Sequence, residues 1–535
     1  MSCGSATEPQ LSISTSAFTE FRRFNLIYAD KTALIAAWAR ISGLYLLTRP
    51  RRFGKSLLVT TLETLFRKGL KDFRGLAIES QWQDTTYRTV RFDFLTVKQF
   101  QTLSEFQSNL YQLLALTFEP LGFNWSPIGE NSFWTQWTDW LKSQPIASLV
   151  LLIDEYDAPL CAVVDKPELS RAVTAELARF YQALSAAAGV FRLVFVTGIT
   201  RLPGTAEFFT EFADLSFEAS CGTLLGFTED EVRRFYPMYL KKARLALNLP
   251  EDVLVRRLVR HYGGYCFNEN EAQGVINPWS LLNFLQSPKR GFQPYWVETG
   301  GAVSKLRRYL TDPVLRDPAQ FGATVALSQD ELTAKTVSES ACGTVMLAQT
   351  GYLVVCGAEN ENYRVGCPNR EVADAMASLY SELLLSGKQL DDVDAGDIDE
   401  VLATGTDDDV VGQFNRVFAA LDYLNYPVTN DSVCRGYLFV LLQGAQLYAK
   451  LEVHNAYGRS DLEVDAGDRH WVFELKFLAK TGGASDEKAA ELLTEAVEQM
   501  RSKHYGEEDR SGRQLKRLAL VFSEEKRQFT AWHAA

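Results

Sequence analysis

The chain has 535 residues, of which 46% are hydrophobic, 23% charged and 12% aromatic. At about 100–200 residues per domain it holds three or four packing units, and this composition excludes disordered and collagen-like chains. The formal charge of −12 and a pI near 5.2 argue at first sight against a nucleic-acid partner, because phosphate binding runs on clustered Lys and Arg.

Eight cysteines (Cys3, Cys161, Cys221, Cys266, Cys342, Cys356, Cys367 and Cys434) are scattered with no C-x-x-C pair, and the histidines form no H-E-x-x-H. This spacing speaks against a disulfide framework and a structural zinc site, and it fits a reducing compartment. The N-terminus MSCGSATEPQ lacks a basic region followed by an apolar one, and no stretch nears the ~18 apolar residues of a membrane span. The expectation is a soluble cytoplasmic protein with no membrane partner.

In chain order, Leu44–Thr48 reads as a strand. The helix after it carries Leu57, Leu58, Leu62, Leu65 and Phe66 on one face. Val90–Phe94, Leu149–Ile153 and Leu193–Thr197 are further strands, with helical stretches at Glu105–Phe118 and Leu169–Ala187 between them. Such alternation predicts a parallel sheet with ligands at the carboxyl ends of its strands. From Thr228 to Leu285 the pattern is helical, as in Asp230–Tyr239 and Val253–Tyr262, and a mixed segment follows. Asp391–Asp409 then holds nine acids and no base, which reads as a solvated connector. Beyond it come strands around Leu462–Val464 and Trp471–Phe473, a helix at Glu487–His504 and a strand at Leu518–Phe522.

Thr48–Ser56 (TRPRRFGKS) joins the first strand to its helix. Gly54, Lys55 and Ser56 supply the end of a phosphate-binding loop: backbone N–H groups at a helix start, an ammonium for phosphate oxygens and a hydroxyl for Mg²⁺. The pattern G-x-x-x-x-G-K-[ST] fails at its first position, where Arg49 stands. Leu149–Ile153 ends in Asp154-Glu155, suited to holding Mg²⁺ and orienting an attacking water. A helix N-cap is the alternative for Asp154, and for Asp157 the N-cap is preferred. Thr197, at the end of the Leu193–Thr197 strand, either senses a terminal phosphate or belongs to a plain turn.

YADKT (Tyr28–Thr32), LTRPRRFGKS (Leu47–Ser56), LIDEYDAP (Leu152–Pro159) and VTGI (Val196–Ile199) resemble the AAA-ATPase-like family of bacteria and archaea. The resemblance continues through GFTEDEV (Gly226–Val232), YGGY (Tyr262–Tyr265), NPWSLL (Asn277–Leu282), Trp296–Gly301, QTGYL (Gln349–Leu353) and PNREV (Pro368–Val372). In that family RPRRFGKS replaces the Gly-rich start, so Arg49 does not imply a dead site. The resemblance implies ATP and Mg²⁺ as cofactors, with Arg52, Gly54, Lys55, Ser56, Asp154 and Thr197 binding them and Glu155 activating water. Ser56 and Asp154 would be the metal ligands. Arg51, Arg52 or Arg201 could reach phosphates in cis or across an interface between copies, which leaves a homo-oligomer open. Pro278 either contacts the adenine or, as preferred, starts a helix at N1.

In Gly458–Asp465 (GRSDLEVD) the acids Asp461, Glu463 and Asp465 alternate with apolar residues and share one strand face. In Val472–Lys476 (VFELK), Glu474 and Lys476 share a face and Leu475 lies on the other. Two adjacent strands can bring Asp461, Glu474 and Lys476 together, carboxylates for Mg²⁺ and a lysine for the developing phosphorane charge. This D…E-x-K arrangement resembles the PD-(D/E)XK nuclease superfamily, whose domains commonly close AAA-ATPase-like chains. The resemblance implies Asp461 and Glu474 as metal ligands and Asp461, Glu474 and Lys476 as catalytic residues. Glu452 could add an acid. Gln499 either orients the lysine or a phosphate, or simply lies on a helix surface. Two departures stand out: the first helix of the domain offers only Asp431 where a Glu is common, and Ser460 replaces the leading Pro.

The nine acids of Asp391–Asp409 account for nine of the twelve excess negative charges, leaving the rest of the chain at −3, so the global pI says little against nucleic acid. The expected fold is α/β: a P-loop NTPase parallel sheet (1–225) with a helical lid (226–285), a middle region (286–390), an acidic linker (391–409) and a restriction-endonuclease-like α/β domain (410–535). The expected function is an ATPase whose nucleotide switch controls a Mg²⁺-dependent nuclease on DNA or RNA. The alternative is an ATP-dependent switch or scaffold whose tail binds nucleic acid or a protein partner without cutting.

Overall fold

The computed structural model describes residues 9–126, 132–201, 204–268, 274–299, 324–332, 342–359, 362–385, 398–445, 447–480, 486–507 and 512–535. The chain divides into two compact units: Met1–Glu298 with Thr324–Arg370, and Thr299–Ala323 with Glu371–Ala535.

The first unit is built on five parallel strands, β1 (Gly43–Thr48), β2 (Arg88–Asp93), β3 (Leu149–Asp154), β4 (Phe191–Gly198) and β5 (Ala213–Asp214), in the order β2-β3-β4-β1-β5. Every residue of β3 and β4 is buried, as befits central strands of a parallel sheet covered on both faces. The sheet order inserts β4 between β1 and β3, so the carboxyl ends of these three strands, where ligands bind in sheets of this kind, lie side by side. Helix α1 (Lys55–Lys68) follows β1 and buries Leu58, Leu62, Leu65 and Phe66 against the sheet, as its periodicity predicts. Helices α2 (Leu103–Phe118) and α3 (Pro167–Ala186) match the expected segments.

A helical subdomain follows: α4 (Glu229–Phe235), α5 (Pro237–Leu247), α6 (Glu251–Tyr262) and α7 (Pro278–Gln286), around a core including Leu240, Leu258 and Phe284. The expected Asp230–Tyr239 helix is two helices, because Pro237 has no N–H to continue the first and is suited to N1 of the second. Thr228 and Glu231 form a capping box that starts α4, and Glu231 also pairs with Lys31 at 2.5 Å.

The middle region does not form one connecting block. Residues 286–298 and 324–370 belong to the first unit and the rest to the second; the first-unit part carries a small antiparallel sheet of β6 (Val325–Ser328), β7 (Val354–Glu359) and β8 (Asn362–Gly366) and a helix α8 (Cys342–Thr350). Helix α9 (Arg370–Leu384) leads onward and buries Tyr380 and Leu384 in the core of the second unit.

That second unit has the strand order β13-β12-β11-β10-β9, from β9 (Tyr448–His454), β10 (Arg459–Ala466), β11 (Arg469–Leu478), β12 (Gln514–Ser523) and β13 (Gln528–Ala534). Only β11 and β12 pair in parallel. One face, through Leu462, Val464, Trp471, Phe473 and Leu475, shares a core with α10 (Ile398–Thr404), α11 (Asp407–Ala419) and α12 (Asp431–Gly444). On the other face Val472 and Ala519 pack on Ala496 and Met500 of α13 (Asp486–Ser502).

The acidic run differs from the expected linker. Asp391, Asp392, Asp394 and Asp397 lie outside the described residues, as do Gly300 and Gly301 of the Trp296–Gly301 motif. From Ile398 onward the segment is α10 and the start of α11, because Ile398, Leu402 and Val410 supply an apolar stripe that the domain core buries. The acids sit in first helical turns, where the helix dipole favours them: Asp399 and Glu400 in α10, and Asp407, Asp408 and Asp409 in α11, with Thr406 and Asp409 closing a capping box. Among the described residues no helix is long and apolar enough to cross a membrane.

Candidate functional site

β1 delivers the chain to the loop Arg49–Gly54, in which Arg52 (φ 65°) and Gly54 (φ 96°) are left-handed. The turn at Gly54 is the one glycine serves, since it caps α1 in a conformation that strains any Cβ. Arg49, in place of the missing glycine, is 1% exposed. Its guanidinium donates to the carbonyls of Thr48 (2.9 Å), Ser216 (2.6 Å) and Cys221 (3.1 Å) and lies 4.2 Å over the Phe267 ring. Arg49 is therefore a brace that shapes the loop from behind. Arg52 is exposed and stacks 4.2 Å over Trp279, the residue after Pro278. Pro278 itself is N1 of α7, capped by the Asn277 side chain accepting from Ser280 N–H at 3.2 Å, so the helix-start reading is the one seen.

The Lys55 ammonium, 4% exposed, donates to the carbonyls of Arg49 (3.1 Å) and Pro50 (3.2 Å) and lies 3.9 Å from Glu155 Oε1. Ser56 follows it, half-buried in the first turn of α1. Asp154 is buried at the tip of β3 and accepts the Glu155 N–H at 3.0 Å. It caps no helix, since the next begins at Ala158 with Asp157 at its N-cap. Glu155 has φ 50°. Burial raises its pKa, Lys55 opposes this, and Asp157, Asp154 and Asp93 add to it.

Asp157 stands at the expected N-cap position, but its side chain does more than the sequence suggests. Its carboxylate makes no cap hydrogen bond and instead accepts the N–H groups of Ile199 (3.2 Å) and Thr200 (2.8 Å) and the Thr200 hydroxyl (2.8 Å). It thereby pins the turn after β4. Thr197 is still within β4, and its buried hydroxyl donates to the Leu47 carbonyl at 2.8 Å, tying β4 to β1 beside the loop. Arg201 forms an ion pair with Asp214, and its N–H donates to Gln349 Oε1 at 2.8 Å.

Two contributors escape the sequence reading. Asp93 ends β2 and pairs in register with Asp154, and both add negative charge around Glu155, the acid beside the buried lysine. The expected strand Val90–Phe94 hid it by ending one residue too late. The second is the segment Gln349–Gly351, which packs on the loop from far along the chain. The family resemblance marks it as QTGYL, but nothing in the sequence says that it meets the loop.

In the second unit the register pairs Leu462 with Phe473 on the core face, so the next residues along, Asp461 and Glu474, project together on the opposite face, the one that α13 covers. Asp461 Oδ2 accepts the Leu475 N–H at 2.9 Å. Glu474 is buried, its Oε2 has no hydrogen-bond partner, and its Oε1 lies 3.8 Å from Lys476. Burial and then the charge of Asp461 push the Glu474 pKa up to about 8. Lys476 donates to Gln499 Oε1 (3.0 Å) and pairs with Glu495 (3.2 Å), both on α13, and Gln499 donates in turn to the Tyr505 hydroxyl (3.2 Å). Gln499 thus orients the lysine. Glu463 and Asp465, on the same strand face as Asp461, go to His470 at 3.4 and 2.7 Å.

Glu452 is joined to Asp461 through Arg435, which donates to Asp461 Oδ1 (2.7 Å) and Glu452 Oε1 (2.9 Å). Arg435 comes from α12, the helix where the sequence offered only Asp431. Among the described residues no three Cys, His, Asp or Glu side chains converge as a metal-ligand set. An orphaned buried carboxylate oxygen beside a second carboxylate nevertheless fits Mg²⁺, which is commonly held by one or two carboxylates with substrate oxygens and water completing its shell.

Together these features give one unit with a loop of the phosphate-binding type and a second with a buried carboxylate pair beside a lysine. Comparison with known families agrees. Residues 12–206 match the family described as Predicted AAA-ATPase, and residues 430–532 match the PD-(D/E)XK nuclease superfamily. The chain thus joins an AAA-ATPase-like domain to a C-terminal domain of the PD-(D/E)XK nuclease superfamily. It is also similar to an "Uncharacterized protein in vnfD 5'region" of Azotobacter chroococcum mcd 1, with 27% identity over 542 residues covering 97% of each chain.

Proposed function

We propose that the protein binds and hydrolyses ATP and that this switch controls a Mg²⁺-dependent nuclease acting on DNA or RNA. The observation that carries the first half is the buried Lys55 ammonium 3.9 Å from Glu155, with Asp154 buried at the tip of β3 next to it in sequence. Lys55 would bind phosphate oxygens, Ser56 and Asp154 would hold Mg²⁺, and Glu155, whose raised pKa suits proton uptake, would orient and deprotonate the attacking water. Thr197 would act through the backbone it ties, and Arg52 from the mouth of the loop.

In the nuclease-like domain, Asp461 and Glu474 would hold Mg²⁺ and Lys476, oriented by Gln499, would assist the nucleophile and steady negative charge on the phosphate. Bound Mg²⁺ supplies charge neutralisation at phosphate oxygens and lowers the pKa of water. A cytoplasmic location and a role against foreign nucleic acid complete the reading, the latter by analogy of architecture.

The test uses the purified full chain. ATP turnover should be lost in Lys55→Ala and Glu155→Gln, and nicking of DNA or RNA with Mg²⁺ or Mn²⁺ should be lost in Asp461→Ala while ATP turnover survives. Equal cleavage by Asp461→Ala would refute the nuclease assignment. The second reading, a switch whose tail binds without cutting, is favoured by one observation: both Asp461 oxygens already have donors, Arg435 and the Leu475 N–H. Intact ATP binding with no nicking on any substrate would support it.

A further inference from the structure

We infer that Arg435 is a resident counter-cation of the nuclease-like site, one that a divalent metal must displace from Asp461. This inference rests on the proposed metal role of Asp461 and Glu474. The Arg435 guanidinium is largely buried and bridges two carboxylates, Asp461 Oδ1 at 2.7 Å and Glu452 Oε1 at 2.9 Å, with Ser432 Oγ a further acceptor at 3.3 Å. It therefore occupies one oxygen of a carboxylate that the metal would need.

An arginine in this place has two physical readings with opposite signs. A positioning residue holds a ligand for the metal, and removing such a partner typically weakens metal binding by about 10–100-fold. A competitor neutralises the ligand, and removing it strengthens metal binding. The structure favours the competitor. Asp461 keeps its orientation through Oδ2, which accepts the Leu475 backbone N–H at 2.9 Å, so the carboxylate does not depend on Arg435 to be held.

Arg435 also has somewhere to stay after displacement. Glu452 remains its partner and is itself fixed by Arg459 at 2.9 Å. A displaced Arg435 is left beside the metal with one donor edge unpaired, placed for a phosphate oxygen of the substrate. Metal loading is then linked to nucleic-acid binding: each makes the other easier, because the phosphate gives Arg435 a partner in exchange for Asp461.

The experiment is a Mn²⁺ titration of the nucleotide-free full chain, read by the electron paramagnetic resonance signal of free Mn²⁺. It reports the component of binding that Asp461→Ala abolishes. Arg435→Gln and Arg435→Met should each bind Mn²⁺ about tenfold more tightly or better, since a unit positive charge beside the metal has been removed. Two variants are used so that a folding failure in one leaves the other. An unchanged or weakened affinity in the folded variant overturns the inference. Failure of the underlying reading looks different: the Mn²⁺ bound by Arg435→Gln would then be insensitive to a second substitution at Asp461.

Discussion

Gly351 lies directly against Pro50: a Cβ built on Gly351 would fall 2.6 Å from Pro50 Cγ, and Gly351 has φ 90°. The phosphate loop is thus backed by a residue 301 positions further along. Gly351→Ala meets both a left-handed backbone and a rigid proline ring, at a cost of about 1–3 kcal/mol. Its larger effect should be on the loop, so the rise in melting temperature on adding ATP should shrink or vanish. A variant with the wild-type rise would show that this contact does not shape the loop.

Arg49 supports a counterintuitive expectation. Arg49→Gly restores the general G-x-x-x-x-G-K-S pattern, yet it strips donors from three carbonyls and removes a stacked guanidinium. Each buried acceptor left unsatisfied costs about 1–3 kcal/mol. ATP binding, measured by calorimetry, should be lost or reduced by at least about tenfold, and Arg49→Lys should rescue it only in part because an ammonium cannot match the planar fork.

Glu155→Gln should separate binding from turnover. The amide keeps the shape and relieves the crowding with Asp93, Asp154 and Asp157, so ATP affinity should be retained or improved. Turnover should fall by about 10²-fold or more, the usual worth of a positioned general base. Asp93→Asn should give the weaker version of this phenotype, since Asp93 acts on the same acids from β2.

His470 predicts a pH dependence of stability. Burial alone would lower its pKa, but hydrogen bonds to Asp465 and Glu463 outweigh that and raise it to about 9. The charged groups around it are those two acids, with Arg513 and Lys450 acting on Asp465. Because the folded pKa lies above the ordinary value of about 6.5, the stabilisation is full below about pH 6.5 and is lost as pH rises through about 9, amounting to about 3 kcal/mol at most. Denaturant unfolding at pH 6 and pH 9.5 should show this decline in the wild type and a flatter profile in His470→Gln.

The strands that carry chemistry were legible because each is a short apolar run ending in a polar residue. The structure lengthens most of them by one to several residues, as at Phe191–Gly198 for the expected Leu193–Thr197, while the expected Val90–Phe94 starts earlier and ends at Asp93. The D…E-x-K side chains fell on one face because strand alternation fixes it, and α13 delivered Gln499 to Lys476. What stayed hidden depends on long-range packing. The two-residue strand β5 and the edge strands β9 and β13 have too weak a pattern to stand out. The acidic segment misled because charge dominated its composition, while the few residues that decide its structure, Ile398, Leu402 and Val410, are apolar and sparse. Arg435 lies 26 residues before Asp461 on a different element, and only the fold makes them partners.

The hairpin of β10 and β11 turns through Gly467 and Asp468 alone, so Asp461 and Glu474 are separated by only twelve residues of chain. Local pairing of this kind forms in roughly 1–10 μs, without waiting for distant contacts. The phosphate loop, in contrast, is completed by Gln349 and Gly351, some 300 residues after it. During synthesis the loop therefore leaves the ribosome long before the residues that back it exist, whereas the carboxylate pair assembles within one hairpin. A chain truncated before residue 349 should lose the nucleotide site even though every residue of its motifs is present.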